Sequence, residues 1–167
     1  MIALTSNSPG SLITLVHHRW NIPLLALLHE HSGAKHITLV NQLQISRASL
    51  SAALENLIQL DLVERNTGYG HPMRPEYMLT PQGQAIGGVC LSLAKLIQNA
   101  EQQAIAYRKW TLPTVAVLGY GHSRFNELRK SLSGATPRAL TLCLKGLVHE
   151  RWAVRTVVNG YPPTVAY

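Results

Sequence analysis

The stretch Ser46-Arg-Ala-Ser-Leu-Ser-Ala-Ala-Leu-Glu-Asn-Leu57 recurs 90 residues later as Thr136-Pro-Arg-Ala-Leu-Thr-Leu-Cys-Leu-Lys-Gly-Leu147. Each version opens with a hydroxyl residue suited to the N-cap of a helix. Each then spaces its apolar side chains at i, i+3, i+4 and i+7, which places them on one core-facing helix face. These side chains are Leu50, Ala53, Leu54 and Leu57 in the first version and Leu140, Cys143, Leu144 and Leu147 in the second. The sequence therefore predicts the same capped, half-buried helix twice, with Cys143 as a small buried hydrophobe.

The repetition extends on both sides of this helix. Trp20-Asn-Ile-Pro23 recurs as Trp110-Thr-Leu-Pro113, and Arg65 and Tyr77 recur as Arg155 and Tyr167. A repeat fixes the unit of folding, and a unit of about sixty residues is long enough for a small domain. We predict two copies of one domain joined by a connector. Copy one covers residues 1–79, a helical connector covers 80–109, and copy two covers 110–167.

Each copy is predicted to contain three helices followed by two strands. The opening helix of copy one is expected from about Ser11 to His29, and Pro23 and Pro113 mark either a first turn or a kink. Short second helices contain Ile37, Val40 and Leu43 in copy one and Phe125, Leu128 and Leu132 in copy two. The predicted strands are 62–65 with 76–79, and 152–155 with 164–167; each pair and its turn form a wing. This is the winged helix-turn-helix arrangement, a mostly α, α+β fold with small β-hairpins.

The connector shows helical spacing at Leu93, Leu96, Ile97, Ala100 and Ala104. Thr80 is suited to cap this helix and Pro81 to begin it. Two consecutive glycines, Gly87 and Gly88, predict a bend within it because glycine weakens a helix interior. The predicted architecture is two tandem winged helices joined by a long helical connector.

A family resemblance rests on motifs that lie in the same order as these elements. In copy two they are Lys109-Trp110-Thr-Leu, Arg124-Phe-Asn-Glu-Leu128, Gly134-Ala-Thr-Pro137-Arg-Ala-Leu140 and Pro162-Pro163-Thr-Val-Ala-Tyr167. Copy two resembles the HxlR-type winged-helix transcriptional regulators, relatives of the MarR type, and copy one resembles them more weakly. The resemblance implies a DNA-binding regulator, repressor or activator. Members of that family usually carry one such domain and pair as homodimers through the helix after the wing. A chain with two copies is expected to imitate that dimer as an intrachain pseudo-dimer, and the helix after the first wing leads us to expect a homodimer of chains.

The net charge of +7 is unevenly distributed. Residues 1–103 contain six basic and six acidic side chains, whereas residues 104–167 contain nine basic side chains against Glu127 and Glu150. The whole excess of positive charge therefore belongs to copy two and the residues that lead into it. Such an asymmetry favours a polyanionic partner, and double-stranded DNA is the partner we expect.

The candidate DNA-binding residues follow from the expected docking of a winged helix, with the third helix in the major groove and neighbouring cations on phosphates. In copy two they are Arg138, Thr141 and Lys145 on the third helix, Arg124, Arg129 and Lys130 at the second, and Arg155 at the start of the wing. In copy one they are Arg47 and Ser51 on the third helix and Arg74 in the wing. Glu55 shares the helix face with Arg47 and Ser51, so copy one either touches DNA or serves as a packing partner. The alternative for the basic residues is an ordinary solvated surface.

Other functional classes receive little support. The sequence contains no phosphate-cradling glycine loop, no paired catalytic carboxylates and no nucleophile beside a base, so an enzyme is not expected. Neither a metal site nor a cofactor is expected, because the histidines lack companion ligands at metal spacing. No apolar run is long enough to span a bilayer, and a cytoplasmic, nucleoid-associated location is expected. The alternative function is a winged-helix adaptor that binds protein partners. Sequence alone names no operator and no effector.

Overall fold

A computed structural model describes residues 13–16, 18–66, 76–97, 99–159, 161 and 163–167. Their contacts group them into two compact units. The first unit contains residues 18–97, and the second contains 13–16 together with 99–167. The helices of the predicted connector 80–109 are therefore divided between the units.

The first unit contains four helices and a small sheet among its described residues. The elements are α1 (Asn21–His31), β1 (Ala34–Lys35), α2 (His36–Leu43), α3 (Arg47–Gln59), β2 (Val63–Asn66), β3 (Glu76–Leu79) and α4 (Pro81–Leu96). The sheet is antiparallel with strand order β1-β3-β2. Tyr77 at its centre is opposite Ala34 on one side and Arg65 on the other. The described parts of β2 and β3 form the base of the first wing.

The second unit repeats the order of three helices and a hairpin, with a short helix before them and a shorter sheet. Its elements are α5 (Ala100–Ala106), α6 (Thr111–Gly119), α7 (Phe125–Ser131), α8 (Pro137–His149), β4 (Thr156–Val158) and β5 (Thr164–Ala166). The hairpin β4–β5 pairs Thr156 with Ala166, and a single bridge between Arg124 and Ala166 lies where the first unit has β1. The predicted fold class, mostly helical with small β-hairpins, is confirmed.

The third helices α3 and α8 begin and end in the same way. Ser46 Oγ accepts the backbone N–H of Ser49 at 3.1 Å, and Thr136 Oγ1 accepts that of Ala139 at 3.2 Å. After each helix one residue adopts a left-handed backbone, Asp61 with φ 57° and Arg151 with φ 60°. The predicted N-caps are confirmed, and the matched exits show that the repetition extends to backbone geometry.

The predicted apolar stripes form the cores of both units. The leucines that are fully buried on these helices are Leu50, Leu54 and Leu57 in α3 and Leu140, Leu144 and Leu147 in α8. In the second unit they pack with Val117, Leu128 and Leu132. Cys143, predicted as a small buried hydrophobe, is partly buried and packs against this core.

The polar contacts between the first and third helices differ between the units. In the first unit the fully buried Asn21 donates from Nδ2 to Asn56 Oδ1 at 2.8 Å. The corresponding positions of the second unit hold Thr111 and Gly146. There the Cys143 thiol lies 3.5 Å from the hydroxyl of Thr114 and 4.0 Å from that of Thr111. Burial raises the pKa of this thiol above its ordinary value. The two copies have thus kept the helices and changed the buried polar groups that join them.

The opening helix does not run from Ser11 to His29 as predicted. Among the described residues, 13–15 form a separate helical stretch, and Ile13 packs against the core of the second unit. Helix α1 begins at Asn21, after a turn in which the Asn21 N–H donates to the His18 carbonyl at 3.1 Å. The continuous helix was wrong because residues 13–16 and 18–31 belong to different units. Pro23 and Pro113 are each the third residue of a helix, so the first-turn alternative is correct.

The predicted bend at Gly87 and Gly88 is also wrong. Helix α4 continues through both glycines and packs against α1. A Cβ added to Gly87 would lie 2.9 Å from Leu79 Cδ1 and 3.0 Å from His29 Cβ. Gly87 therefore allows the two helices to approach closely, and this packing outweighs the intrinsic weakness of glycine in a helix.

The start of α4 is joined to the exit of α3 by Thr80. The buried Thr80 hydroxyl donates to the Asp61 carbonyl at 2.7 Å and accepts the Gly83 N–H at 3.0 Å. A Cβ on Gly83 would overlap the carbonyl oxygen of Leu62. The helix ends at Leu96, and Asn99 caps α5 by accepting the Gln102 N–H at 2.7 Å. The connector is therefore two helices, and the single apolar stripe expected from Leu93 to Ala104 is interrupted.

The strand predicted at 152–155 begins later, at Thr156. The backbone N–H groups of Trp152 and Ala153 both donate to the Leu147 carbonyl, at 2.8 and 3.2 Å. These residues thereby terminate α8, and Trp152 packs against the core of the second unit. The prediction of a strand at 152–155 was wrong because the end of α8 uses the first of these residues.

Candidate nucleic-acid interface

The outward face of α8 brings together the residues predicted on the third helix of copy two. Arg138, Thr141 and Lys145 are all exposed, and Leu142 is exposed with them. At 100° per residue these four lie within one arc, opposite the buried leucines of the same helix. The Thr141 hydroxyl donates to the Pro137 carbonyl at 2.8 Å. This face offers two cations with apolar groups between them.

The turn before α8 fixes the position of this face. Ala135, which is buried, donates its backbone N–H to the Leu132 carbonyl at 3.0 Å. Thr136 then caps the helix and Pro137 occupies its first position. Arg138 therefore lies in the first turn, on a helix held by both its cap and its buried stripe. The helix-turn-helix is formed by α7, this turn and α8.

Helix α7 carries the other predicted cations. Arg129 and Lys130 are exposed in its last turn, and Arg124 is exposed at its N-cap. Glu127 turns back and accepts the backbone N–H groups of Arg124 and Ser123 at 3.0 and 3.1 Å. The hydrogen bond from the Arg124 backbone is the main reason that the pKa of Glu127 is lowered. This carboxylate is therefore committed to its own helix start.

Few carboxylates are available to neutralise the basic side chains of the second unit. Glu150 pairs with His149 Nδ1 at 3.1 Å, and Glu127 caps α7. Among the described residues of 99–167, no lysine or arginine forms a salt bridge to a carboxylate. The positive charge of copy two is therefore presented to solvent, which is what a phosphate-binding surface requires.

Arg155 is exposed and lies directly before β4, at the base of the second wing. Apolar side chains are exposed along the same hairpin, among them Val157 and the fully exposed Tyr161. The wing of copy two therefore exposes one cation at its base and apolar side chains along its hairpin.

Copy one presents a different surface. Arg47 is exposed at the first position of α3, and Glu55 is exposed two turns later. Ser51 is only partly buried, and its Oγ lies 3.4 Å from His36 Nε2. Arg74 lies outside the described residues. The outward face of α3 therefore offers one cation and one carboxylate where α8 offers two cations.

Two further cations, Arg108 and Lys109, were not among the predicted site residues. Both are exposed just before α6, and the Lys109 ammonium lies 5.4 Å from the centre of the Trp110 ring. They line an open cleft of about 190 Å³ that also includes Leu142 and Cys143. The sequence signal that could have identified them is their position as an adjacent basic pair directly before copy two.

Three helices, a tight turn before a capped third helix with a basic outward face, and a following β-hairpin define a winged helix-turn-helix protein. The chain belongs to the HxlR-like helix-turn-helix family, whose model matches residues 15–104 and again 105–167. The two tandem matches confirm the duplication and the resemblance. This is a family of DNA-binding transcription regulators and not of enzymes. No curated protein and no solved structure matches the chain. Within the described part of the chain, every helix is too short or too polar to cross a bilayer.

Proposed function

We propose that this regulator binds double-stranded DNA mainly through copy two. Helix α8 enters the major groove, while Arg129 and Lys130 of α7 and Arg155 of the wing contact phosphates. Arg124, at the N-terminal end of α7, also contacts the sugar-phosphate backbone of the DNA. The observation that carries the proposal is the set of exposed cations on the second unit that form no salt bridge with the carboxylates that the structure describes.

Copy one has the supporting role in this proposal. Its residues contribute no excess of positive charge, and Glu55 on α3 would repel phosphate or base acceptors. The two copies together stand in for the pair of domains that other members obtain from two chains. In this intrachain pseudo-dimer, copy one contributes backbone contacts through Arg47 at most, and the sequence is read by copy two.

Salt dependence of DNA binding tests the proposal against the adaptor alternative. Each phosphate neutralised by a lysine or arginine releases counterions, so the logarithm of the affinity falls linearly with that of the salt concentration. Fluorescence anisotropy with a labelled random duplex at several salt concentrations measures that slope. A slope corresponding to several phosphates supports DNA binding, whereas no binding at low salt would favour a protein-binding adaptor.

Two sets of substitutions identify the copy that binds. Replacing Arg138 and Lys145 together by alanine should weaken binding to a selected duplex. The loss of a base contact typically costs ~1–3 kcal/mol of binding free energy. The loss of a phosphate contact reduces the slope of log affinity against log salt concentration by ~1. The change Arg47→Ala should have a much smaller effect. The measurement is the affinity and salt slope of each variant. If the double change leaves the DNA affinity intact and Arg47→Ala abolishes it, copy one is the domain that binds DNA.

We also propose that two chains associate. Val89 and Leu96 lie seven residues apart on α4, and their side chains are 69% and 78% exposed. This spacing places them on one face of the helix, two turns apart. Exposed apolar surface of this kind is a frequent mark of an interface, and two-fold dimers are the commonest assembly. A dimer through α4 would present two copies of α8 to DNA.

A further inference from the structure

One apolar side chain lies in the middle of the basic face of α8. Leu142 is 56% exposed, four residues after Arg138 and three before Lys145. These spacings make it a neighbour of both cations on the helix surface. A leucine contributes no charge to a phosphate contact, and its exposed surface at this position is suited to an apolar partner.

The neighbouring Thr141 adds to this apolar character. Its hydroxyl is turned back to the Pro137 carbonyl at 2.8 Å, so its donor proton is already used within the helix. At the positions of α3 that correspond to Arg138 and Leu142, copy one carries the small Ala48 and Ala52. The apolar centre of the face is therefore a property of copy two, the copy that also holds the excess charge.

The major groove offers one apolar feature among the base edges. Thymine presents its C5 methyl group there, while the other edges present hydrogen-bond donors and acceptors. Arginine and lysine on either side of the leucine match the N7 and O6 acceptors of guanine. We propose that Leu142 is a specificity-determining residue that packs against a thymine methyl group. The preferred site would carry thymine between the bases that Arg138 and Lys145 approach. This inference rests on the proposed function, since it requires α8 in the major groove.

Replacing thymine by uracil tests this contact without altering the protein. Deoxyuridine keeps the pairing with adenine and removes only the methyl group. A duplex is first selected from a random pool by the full chain, and each thymine is then replaced by deoxyuridine in turn. At the position read by Leu142 the affinity should fall about fourfold, the value expected for one buried methyl group. Replacement at the other thymines should leave the affinity unchanged.

The variant Leu142→Ala assigns the effect to this side chain. With the selected duplex its binding should be weaker than that of the unaltered chain, and the uracil replacement should cause no further loss, since two changes to one contact are not additive. The control Val115→Ala removes methyl groups from another exposed helical position of the second unit. It should keep the full sensitivity to uracil.

The possible results separate this inference from the proposed function. If the duplex binds and no uracil replacement weakens it, the thymine contact is refuted while DNA binding stands. If Leu142→Ala keeps the uracil sensitivity, another residue reads the methyl group and the assignment to Leu142 is refuted. If no duplex is selected at all, the proposed function fails and this inference fails with it. The uracil arm uses the unaltered chain, so it tests the methyl contact separately from the variant, which assigns that contact to Leu142.

Discussion

Gly83 shows how a single residue fixes the position of a helix. It lies in the first turn of α4, where a Cβ would overlap the Leu62 carbonyl oxygen. The same turn is held by the Thr80 hydroxyl, which bonds both the Asp61 carbonyl and the Gly83 N–H. The absent side chain and the buried hydroxyl together define how closely α4 approaches the end of α3.

Replacing Gly83 by alanine should therefore destabilise the protein. The methyl group would force α4 away from Leu62, and overpacking of this kind costs about 1–3 kcal/mol. The matched control is Gly119→Ala, since a Cβ at Gly119 meets nothing within 4 Å. That change should be neutral or stabilise by up to ~1 kcal/mol, because alanine is the better helix former. Urea unfolding of both variants checks the pair, and a stable Gly83→Ala variant would show that α4 can shift freely.

At the scale of the element, the third helices α3 and α8 share a cap and a buried stripe but differ in the face that they present. Each is preceded by an N-cap hydroxyl that accepts the backbone N–H of the third helical residue. Both helices have an exposed arginine in the first turn, but only α8 adds the exposed Leu142 and a second cation, Lys145. The same element thus serves folding in both copies and DNA reading, by our proposal, in one.

Removing each cap should separate these two roles. Thr136→Ala and Ser46→Ala should each cost about 1 kcal/mol of stability, the usual value for an N-cap. Thr136→Ala should also weaken DNA binding, because fraying of the first turn displaces Arg138. Ser46→Ala should leave the DNA affinity nearly unchanged. Unfolding curves and anisotropy titrations measure the two quantities, and an equal loss of affinity in both variants would argue that both third helices bind.

The helices were predictable because their signals are local. Leu50 to Leu57 and Leu140 to Leu147 follow the helical period, and Ser46 and Thr136 precede them as caps. Two predictions failed because no periodic pattern signals the deciding contact. In the first case that contact is distant in the sequence, and in the second it is a local hydrogen bond at a helix end. Gly87 predicts a bend in the helix when the sequence is considered alone. In the structure it packs against His29 of α1, 58 residues earlier in the sequence. Residues 152–155 read as a strand until the exit of α8 takes Trp152 and Ala153.

The candidate site was predictable in part for the same reason. Exposure of Arg138, Thr141 and Lys145 on one face follows from spacing within one helix. The Thr141 hydroxyl bond and the cleft beside Lys109 and Trp110 depend on rotamers and on the packing of α5 and α6 near α8. Those features require three-dimensional coordinates, since no periodicity encodes them.

At the scale of the whole molecule, association through α4 is the prediction that matters most. Sedimentation equilibrium at micromolar concentration should show a species of two-chain mass. Changing Val89 and Leu96 together to aspartate should give a one-chain species, because like charges would face each other across a two-fold axis. The control Val154→Asp, at a valine that is 71% exposed in the second unit, should stay two-chain. A one-chain mass for the unaltered protein would refute the dimer.

Tandem copies of one domain risk exchanging helices while they fold, since misassembly between similar neighbours is a typical failure of repeat proteins. The polar contacts between the first and third helices differ between the copies, with Asn21 and Asn56 in one and Cys143 with two threonines in the other. If α1 packed on α8 in place of α6, the Asn21 amide would meet Gly146, and the hydrogen bond to Asn56 would be lost in the interior. A buried polar group without its partner costs about 1–3 kcal/mol. The mismatch would make pairing between helices of different copies less stable than pairing within one copy. The different buried polar groups would therefore favour correct folding of the duplicated chain.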